Sequence, residues 1–310
     1  MTKRVFITGA TGFVGSNLIR KLIEENYEVH ILTRALAAPW RIKDILPKLK
    51  VHQGDLRKFK ELEKIIRLIK PAGIFHLAVS NIFSGITASN KDVILDNLLG
   101  TTNLIEAAAD IDYDFFINTG SFLEYGVKSK PIKESDSSEP PEIYSITKLA
   151  AEHYARSVAK LRNKPIVTLR LFTPFGPSMQ PGRLVYEIIT KALKNEDISL
   201  TSPAVSRDLI YIKDIMDIYL IVASRAKDFP GETFNAGSGK LTTIGGLVNL
   251  VIKETSSTSA VKWGSHHGAS YDSAMCVADM TKTYANLAWH PKYSLEKGIK
   301  ETIEWYKNHL

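Results

Sequence analysis

Eight residues near the N-terminus, Thr8-Gly9-Ala10-Thr11-Gly12-Phe13-Val14-Gly15, constrain this chain more than any others. Glycine recurs at every third position. A compact apolar run, Arg4–Ile7, precedes it, and residues of helical period, Ser16–Glu25, follow with Leu18, Leu22 and Ile23 on one face. In that setting each glycine has a physical use. The first permits a tight turn, the second lets backbone amides approach a pyrophosphate, and the third lets the helix pack closely on the strand. The helix start then offers free N–H groups and the positive end of its dipole to phosphates. A plain glycine turn could join the same two elements. Its place at the first strand–helix junction favours a dinucleotide site.

The first half of the chain continues in the same alternation. Strands are predicted at Glu28–Leu32, Val51–Gln53, Gly73–Leu77, Asp114–Asn118 and Ile166–Phe172. Between them lie a charged amphipathic helix through Leu62, Ile65, Ile66 and Ile69, a helix over Asn97–Ala109 and a long one over Ile143–Leu161, stopped by Pro165. Strands alternating with helices imply βαβ units with right-handed crossovers and a doubly wound parallel sheet, an α/β Rossmann fold. Beyond residue 173 loops gain proline and glycine and the alternation loosens. We therefore expect residues 1–172 and about 207–236 to form the nucleotide-binding domain. Residues about 173–206 and 237–310 form a smaller interleaved α+β substrate lobe. Ser135–Pro141 reads as a loop.

The end of the second strand bears on which dinucleotide binds. An acidic residue there holds the ribose hydroxyls of NAD. Here the strand ends Leu32-Thr33-Arg34, so a guanidinium stands where an acid would repel a 2′-phosphate. NADP(H) is preferred, with NAD(H) the alternative. Asp55 and Leu56 after the third strand are placed beside the adenine, Asp55 being equally suited to cap a helix.

Tyr144 and Lys148 stand at i and i+4 on one helix face. A free phenol titrates near pH 10, too high for acid–base work at neutral pH. A neighbouring ammonium is expected to pull it towards the working range. Ser121, near the end of the fifth strand, supplies a hydroxyl for a substrate oxygen. A lone Tyr-x-x-x-Lys is a common surface pair; with the glycine turn and the serine it becomes specific.

At this point the chain resembles the extended short-chain dehydrogenase/reductases, the nucleotide-sugar epimerases, dehydratases and 4-keto reductases. The resemblance is carried by TGATGFVG, HLA (His76–Ala78), DNLLGTTNLIEAA (Asp96–Ala108), TGSFLEYG (Thr119–Gly126), YSITK, LRLFTPFGP (Leu169–Pro177), SRDLIYIKDI (Ser206–Ile215), FNAGSG (Phe234–Gly239) and the closing ADMTKTYANLAWHPKYSLEKGIKETIEWY. It implies that Gly9, Thr11, Gly12, Phe13, Val14 and Gly15 hold the pyrophosphate. Leu77, Ala78, Thr119 and Leu171 would line the cofactor cleft. Ser121, Tyr144 and Lys148 would form the catalytic set, with Tyr144 and Lys148 also touching the cofactor. Ser80, Ser121, Phe122, Thr173, Arg183 and Arg207 would face the substrate. Arg207 would clamp its diphosphate, the alternative being a salt bridge to Asp208 or Asp214. The resemblance also implies a homodimer built on the helices around 97–109 and 143–161.

Departures from the family pattern narrow the reaction. Family dehydratases carry Asp-Glu directly after the catalytic hydroxyl; here Phe122 and Leu123 cannot move protons. Glu124 lies one residue on and is expected to face elsewhere. The Glu124-Tyr125-Gly126 tripeptide resembles the family's 4-keto-6-deoxysugar reductases more than its 4-epimerases. A 3,5-epimerase needs an added acid–base pair, and Cys276 lies too far along the chain to supply it. The expected reaction is NADPH-dependent reduction of an NDP-4-keto-6-deoxyhexose, or 3,6-dideoxyhexose, for surface-polysaccharide assembly. The rivals are an NAD-dependent 4-epimerase and a non-catalytic nucleotide-binding protein. Thr173 stands where the family commonly has Asn, and His266–Asp272 lacks the family's second phosphate arginine. His266, His267 or Arg183 could replace it.

The net charge is +7, which admits nucleic acid, an anionic membrane surface or an anionic small molecule. Basic residues are interspersed with acids, as in Leu56–Lys70, which reads as solvated helix faces rather than a polyanion platform. No apolar run approaches the ~20 residues of a spanning helix, and the N-terminus reads as strand and turn rather than a signal peptide. The single cysteine, Cys276, excludes an intrachain disulfide and fits a cytoplasmic home. No metal site is expected: the adjacent His266 and His267 rarely converge on one ion.

Overall fold

Successive residues along each central strand enter two different cores. In β5 (Phe115–Ser121), Phe115 and Ile117 pack on one side and Phe116 on the other. The same alternation places Val5 and Ile7 of β1 (Arg4–Thr8) opposite Phe6. It also sets Phe75 of β4 (Gly73–His76) opposite Ile74. One core is closed by Leu18, Ile19 and Leu22 of α1 (Phe13–Glu24) and by Ile215 and Ile218 of α7 (Ile212–Arg225). The other is closed by Leu62 and Ile66 of α2 (Phe59–Ile69), Leu104 of α4 (Gly100–Ala107) and Ala155 and Val158 of α5 (Ile143–Arg162). Strands buried on both faces, with helices above and below, are what a parallel sheet requires.

The computed structural model describes residues 3–34, 40–80, 88–265 and 275–310. Its main sheet has seven strands in the order β10-β6-β5-β4-β1-β2-β3. All are parallel, with β2 (Glu28–Thr33), β3 (Lys50–Gln53), β6 (Ile166–Leu171) and β10 (Thr233–Ala236) completing it. The chain lays β2 and β3 outward from β1, then returns to place β4 on the other side. The order reverses between β1 and β4, so a crevice opens at the carboxyl ends of those two strands. This is the doubly wound Rossmann sheet expected from the sequence.

Beyond β6 the chain enters a smaller layer. β7 (Thr173–Phe175) pairs parallel with β9 (Ser206–Tyr211), which pairs antiparallel with β11 (Leu241–Thr243). β8 (Ile198–Leu200) and β12 (Val261–Trp263) form a separate pair. α3 (Asn90–Ile94), α6 (Leu184–Lys194), α8 (Ile244–Thr255), α9 (Thr281–Leu287) and α10 (Leu295–Lys307) complete the helices among the described residues. Between β9 and β11 the chain returns to the main sheet as β10, beside β6.

Several boundaries differ from expectation for local reasons. α1 begins inside the glycine motif, with Gly12 as its cap, because the turn is itself the entry to the helix. β5 continues to Ser121 rather than stopping at Asn118. The helix expected from Asn97 starts at Asn90 and passes through a π turn, Leu95–Leu99. The buried Asn97 of that turn holds Ser80 and Thr147, a use of π turns common at functional sites. α5 ends at Asn163 in the left-handed conformation, before Pro165 is reached. Ser135–Pro141 is loop, as expected.

Candidate active site

The glycine turn sits at the end of β1 and has the shape of a phosphate cradle. Gly9 has φ +70°, and a Cβ there would lie 2.5 Å from the Ala78 amide nitrogen. A Cβ on Gly15 would lie 2.2 Å from the Gly9 carbonyl oxygen. Only glycine lets these backbones meet. Gly12 N–H donates to Gly9 O at 3.0 Å, and no side chain caps α1 and no acid occupies its first turn. The backbone therefore presents N–H groups towards the crevice with no competing carboxylate, which fits a dinucleotide pyrophosphate. Phe13 and Val14 lie half-buried in the first turn, and the Thr11 carbonyl is held by Arg41 at 3.3 Å. Leu77 and Ala78 flank the turn, pinned where Ala78 N–H donates to Thr8 Oγ1 at 3.2 Å.

His76 fixes this corner. Its Nδ1 meets Thr8 Oγ1 at 2.7 Å and its Nε2 meets Thr101 Oγ1 at 2.8 Å, joining β1, β4 and α4. Burial first, and the Lys148 charge second, lower its pKa from 6.5 to about 3. The unfolded chain takes this proton at higher pH than the native chain does. Stability therefore rises with pH between about 3 and 6.5 and is lost as pH falls through that window. His76→Asn is expected to flatten the slope by up to about 1.4 kcal/mol per pH unit, the value for one proton. Urea unfolding across the window checks it.

At the end of β5 stands Ser121. Its N–H donates to Glu124 Oε1 at 2.6 Å and its hydroxyl accepts from Leu123 N–H at 3.2 Å, locking a short 3-10 turn over Phe122–Tyr125. Across from it, α5 carries Tyr144 and Lys148. Ser121 hydrogen-bonds the Tyr144 phenol, and Arg183 lies close enough to act on its charge. The sequence led us to expect a phenol drawn towards neutrality by Lys148. Instead burial is the largest influence and pushes Tyr144 up to about 12, outweighing Arg183 and Ser121. The phenol keeps its proton at neutral pH. Lys148 is itself buried, which lowers its pKa, while Glu124 and Glu152 oppose that shift.

Beneath this set lies a charge cluster that sequence reasoning missed. Arg170 of β6 meets Glu152 at 2.8 Å and Glu124 at 3.0 Å, with all three side chains at most 4% exposed. Its guanidinium also covers the Tyr125 ring at 4.3 Å. Glu124 does face away from the cleft, but inward, and it braces Ser121 from behind. Burial and the neighbouring Glu152 raise its pKa well above the ordinary value. Two signals were available: an arginine inside the apolar strand IVTLRL, and Glu152 one helical turn after Lys148.

The remaining candidates lie as follows. Thr119 Oγ1 bonds Tyr219 OH at 2.6 Å, and Leu171 closes the end of β6. Ser80 is held through its backbone by Asn97. Phe122 stacks on Phe172 with ring centres 5.5 Å apart. Thr173 Oγ1 is buried without a hydrogen-bond partner among the described residues. Arg207 lies half-buried on β9, donating to Ser206 O at 2.7 Å. Neither carboxylate suggested for it serves as its salt bridge. Asp208 accepts the N–H groups of Ser238, Gly239 and Ala278, and Asp214 those of Lys292 and Tyr293. Asp55 does not cap α2, whose cap is Lys58; its carboxylate accepts Arg57 N–H at 2.9 Å in the preceding turn. Leu56 is held over α4 through Asn103. Thr33 is half-buried at the end of β2, and Arg34 beside it is 66% exposed, 3.5 Å from Asp96. His266 and His267 lie outside the described residues. Among the described residues no helix is long and apolar enough to cross a membrane, and no group of His, Cys, Asp and Glu could hold a metal ion.

Known proteins are similar to this chain over nearly its whole length. A CDP-abequose synthase of Salmonella muenchen is 26% identical over 98% of this chain and 98% of its own. A putative UDP-glucose 4-epimerase of Methanocaldococcus jannaschii is also 26% identical, again over 98% of both chains. The Bacillus cereus UDP-glucuronic acid 4-epimerase, solved with UDP-glucuronic acid and NAD, shares the fold. Its TM-score is 0.89 at 23% identity, over 99% of this chain and 100% of that one. The model of the NAD dependent epimerase/dehydratase family matches residues 5–237. That span runs from the first strand of the main sheet past its last, and the chain therefore belongs to the NAD dependent epimerase/dehydratase family.

Proposed function

We propose that this enzyme reduces the C4 ketone of an NDP-4-keto-6-deoxyhexose, or its 3-deoxy counterpart, using NADPH. What carries the reading is the Tyr144 phenol beside the Ser121 hydroxyl, with Phe122 and Leu123, which cannot move protons, directly after that serine. A reductase needs a proton donor at rest. A dehydratase needs further proton-transfer groups, and here Phe122 is stacked and Leu123 buried.

The bound dinucleotide supplies a hydride to C4. Ser121 donates a hydrogen bond to the C4 oxygen as its charge develops, and Tyr144 delivers the proton that completes the alcohol. Lys148 faces the resulting phenolate with positive charge. Gly9, Thr11, Gly12, Phe13, Val14 and Gly15 hold the pyrophosphate. Thr33 and Arg34 meet the 2′-phosphate, Asp55 and Leu56 border the adenine, and Leu77, Ala78, Thr119 and Leu171 wall the cleft. Ser80, Phe122, Thr173, Arg183 and Arg207 face the sugar nucleotide, with Arg207 on its diphosphate. The product would enter surface-polysaccharide assembly from the cytoplasm. A homodimer through α4 and α5 would cover Leu99 and Ile146, which are 38% and 47% exposed.

A second reading, the 4-epimerase, is favoured by the putative UDP-glucose 4-epimerase among the relatives. Incubation with NADPH and CDP-, dTDP- or GDP-linked 4-keto sugars separates the two. The reductase consumes NADPH stoichiometrically. An epimerase shows no net consumption and keeps NAD through purification.

A further inference from the structure

Arg57 has no place in the site derived so far, yet it controls the charge beside Arg34. Arg34 follows β2 directly, and Gly54 N–H donates to Thr33 O at 3.1 Å, tying the ends of β2 and β3 together. Arg57 lies just beyond, its backbone fixed by Asp55 Oδ1. Asp96, in the π turn before α4, is shared by both guanidiniums. Arg57 Nε reaches its Oδ1 at 2.7 Å, while Arg34 Nη1 stands 3.5 Å from its Oδ2. Arg57 also meets Asp92 at 3.1 Å.

The two contacts to Asp96 differ in kind. Arg34 is 66% exposed and its contact is long, so it is loosely held and available to another anion. Arg57 and Asp96 are 29% and 13% exposed and in direct hydrogen-bond range. A carboxylate this close to Arg34 would compete with a 2′-phosphate for the guanidinium and repel the phosphate directly. Arg57 cancels that charge while leaving Arg34 free to move.

We propose that Arg57 is a positioning residue for dinucleotide choice: by neutralising Asp96 it lets Arg34 accept a 2′-phosphate. This rests on the reading of Arg34 as the 2′-phosphate residue. The adenine neighbours Asp55 and Leu56 precede Arg57 in the same turn, but Asp55 holds the backbone N–H of Arg57 and not its guanidinium, so a change of the Arg57 side chain leaves binding of NADH, which lacks that phosphate, nearly unchanged.

Equilibrium binding of NADPH and NADH to the whole enzyme, followed by cofactor fluorescence, tests the inference. Arg57→Met is expected to weaken NADPH about tenfold or more, as an uncompensated charge at this range implies, and to leave NADH within about twofold. Asp96→Asn added to Arg57→Met is expected to restore NADPH binding, because the offending charge is gone. Unchanged NADH binding shows that the variant is folded. Equal weakening of both cofactors, unchanged NADPH binding, or failure of Asp96→Asn to restore it overturns the proposal. Arg34→Met separates this from the underlying reading. If Arg34→Met leaves the NADPH-to-NADH ratio unchanged, Arg34 is not the 2′-phosphate residue.

Discussion

Replacing Tyr144 by phenylalanine is expected to lower kcat by about 10²–10⁴-fold, the usual contribution of a positioned proton donor. Burial pushes the phenol up to about 12, and it hydrogen-bonds Ser121, so hydroxyl and phenol lie side by side. Phenylalanine keeps the ring and removes its one transferable proton, that of the phenolic hydroxyl. Tyr144 is also expected to touch the cofactor, but the ring is kept and the glycine turn and α1 are untouched, so most of the NADPH affinity should persist. Single-turnover kinetics beside equilibrium NADPH titration check the split. A Tyr144→Phe enzyme with wild-type kcat would rule out Tyr144 as the proton donor and with it the proposed mechanism.

The largest expected loss of stability comes from Arg170→Met. Arg170 stands between Glu124 and Glu152, at 3.0 and 2.8 Å, with all three side chains nearly fully buried. Removing it leaves two buried carboxylates facing each other, with Lys148 the positive charge that still acts on both and single hydrogen bonds from Ser121 and Thr233. Breaking such a cluster from one side costs about 3–5 kcal/mol, whereas replacing every charge with neutral groups of similar shape costs far less. Arg170→Met should therefore unfold at much lower denaturant concentration, and the triple variant with Glu124→Gln and Glu152→Gln should recover most of the difference. Urea titration of the three proteins measures this. A loss below about 1 kcal/mol in Arg170→Met would mean that the cluster is hydrated or rearranges freely.

What the sequence made legible and what it hid follow from the range of the interactions. The glycine turn could be read because its constraints are local: a positive φ at Gly9 and a backbone contact at Gly15 tolerate no side chain. Tyr144 and Lys148 could be paired because helical spacing alone puts them on one face. The parallel sheet followed from apolar runs separated by helices. The charge cluster was hidden because it assembles from the turn after β5, from α5 and from β6, and only pairing of those strands brings Glu124 to Arg170. The π turn that follows α3 was hidden for a related reason. The π turn is set by Asn97 reaching Ser80 and Thr147, residues distant in the chain. The protonation of Tyr144 was misjudged because the i+4 lysine is visible in the sequence and the desolvation of the phenol is not. Arg57 escaped notice as one cation among many; its meaning depends on Asp96 sitting between it and Arg34.

The central claim is that a hydride leaves exchangeable NADPH and stays on C4 of the sugar. The direct measurement uses NADPH carrying deuterium at the transferred position, a panel of NDP-4-keto-6-deoxyhexoses, and mass spectrometry and NMR of the product. The account predicts that one deuterium appears at C4 for each NADPH consumed, with a single C4 configuration. Interconversion of C4 epimers with no deuterium incorporated and no NADPH consumed, on enzyme that retains NAD, would contradict it.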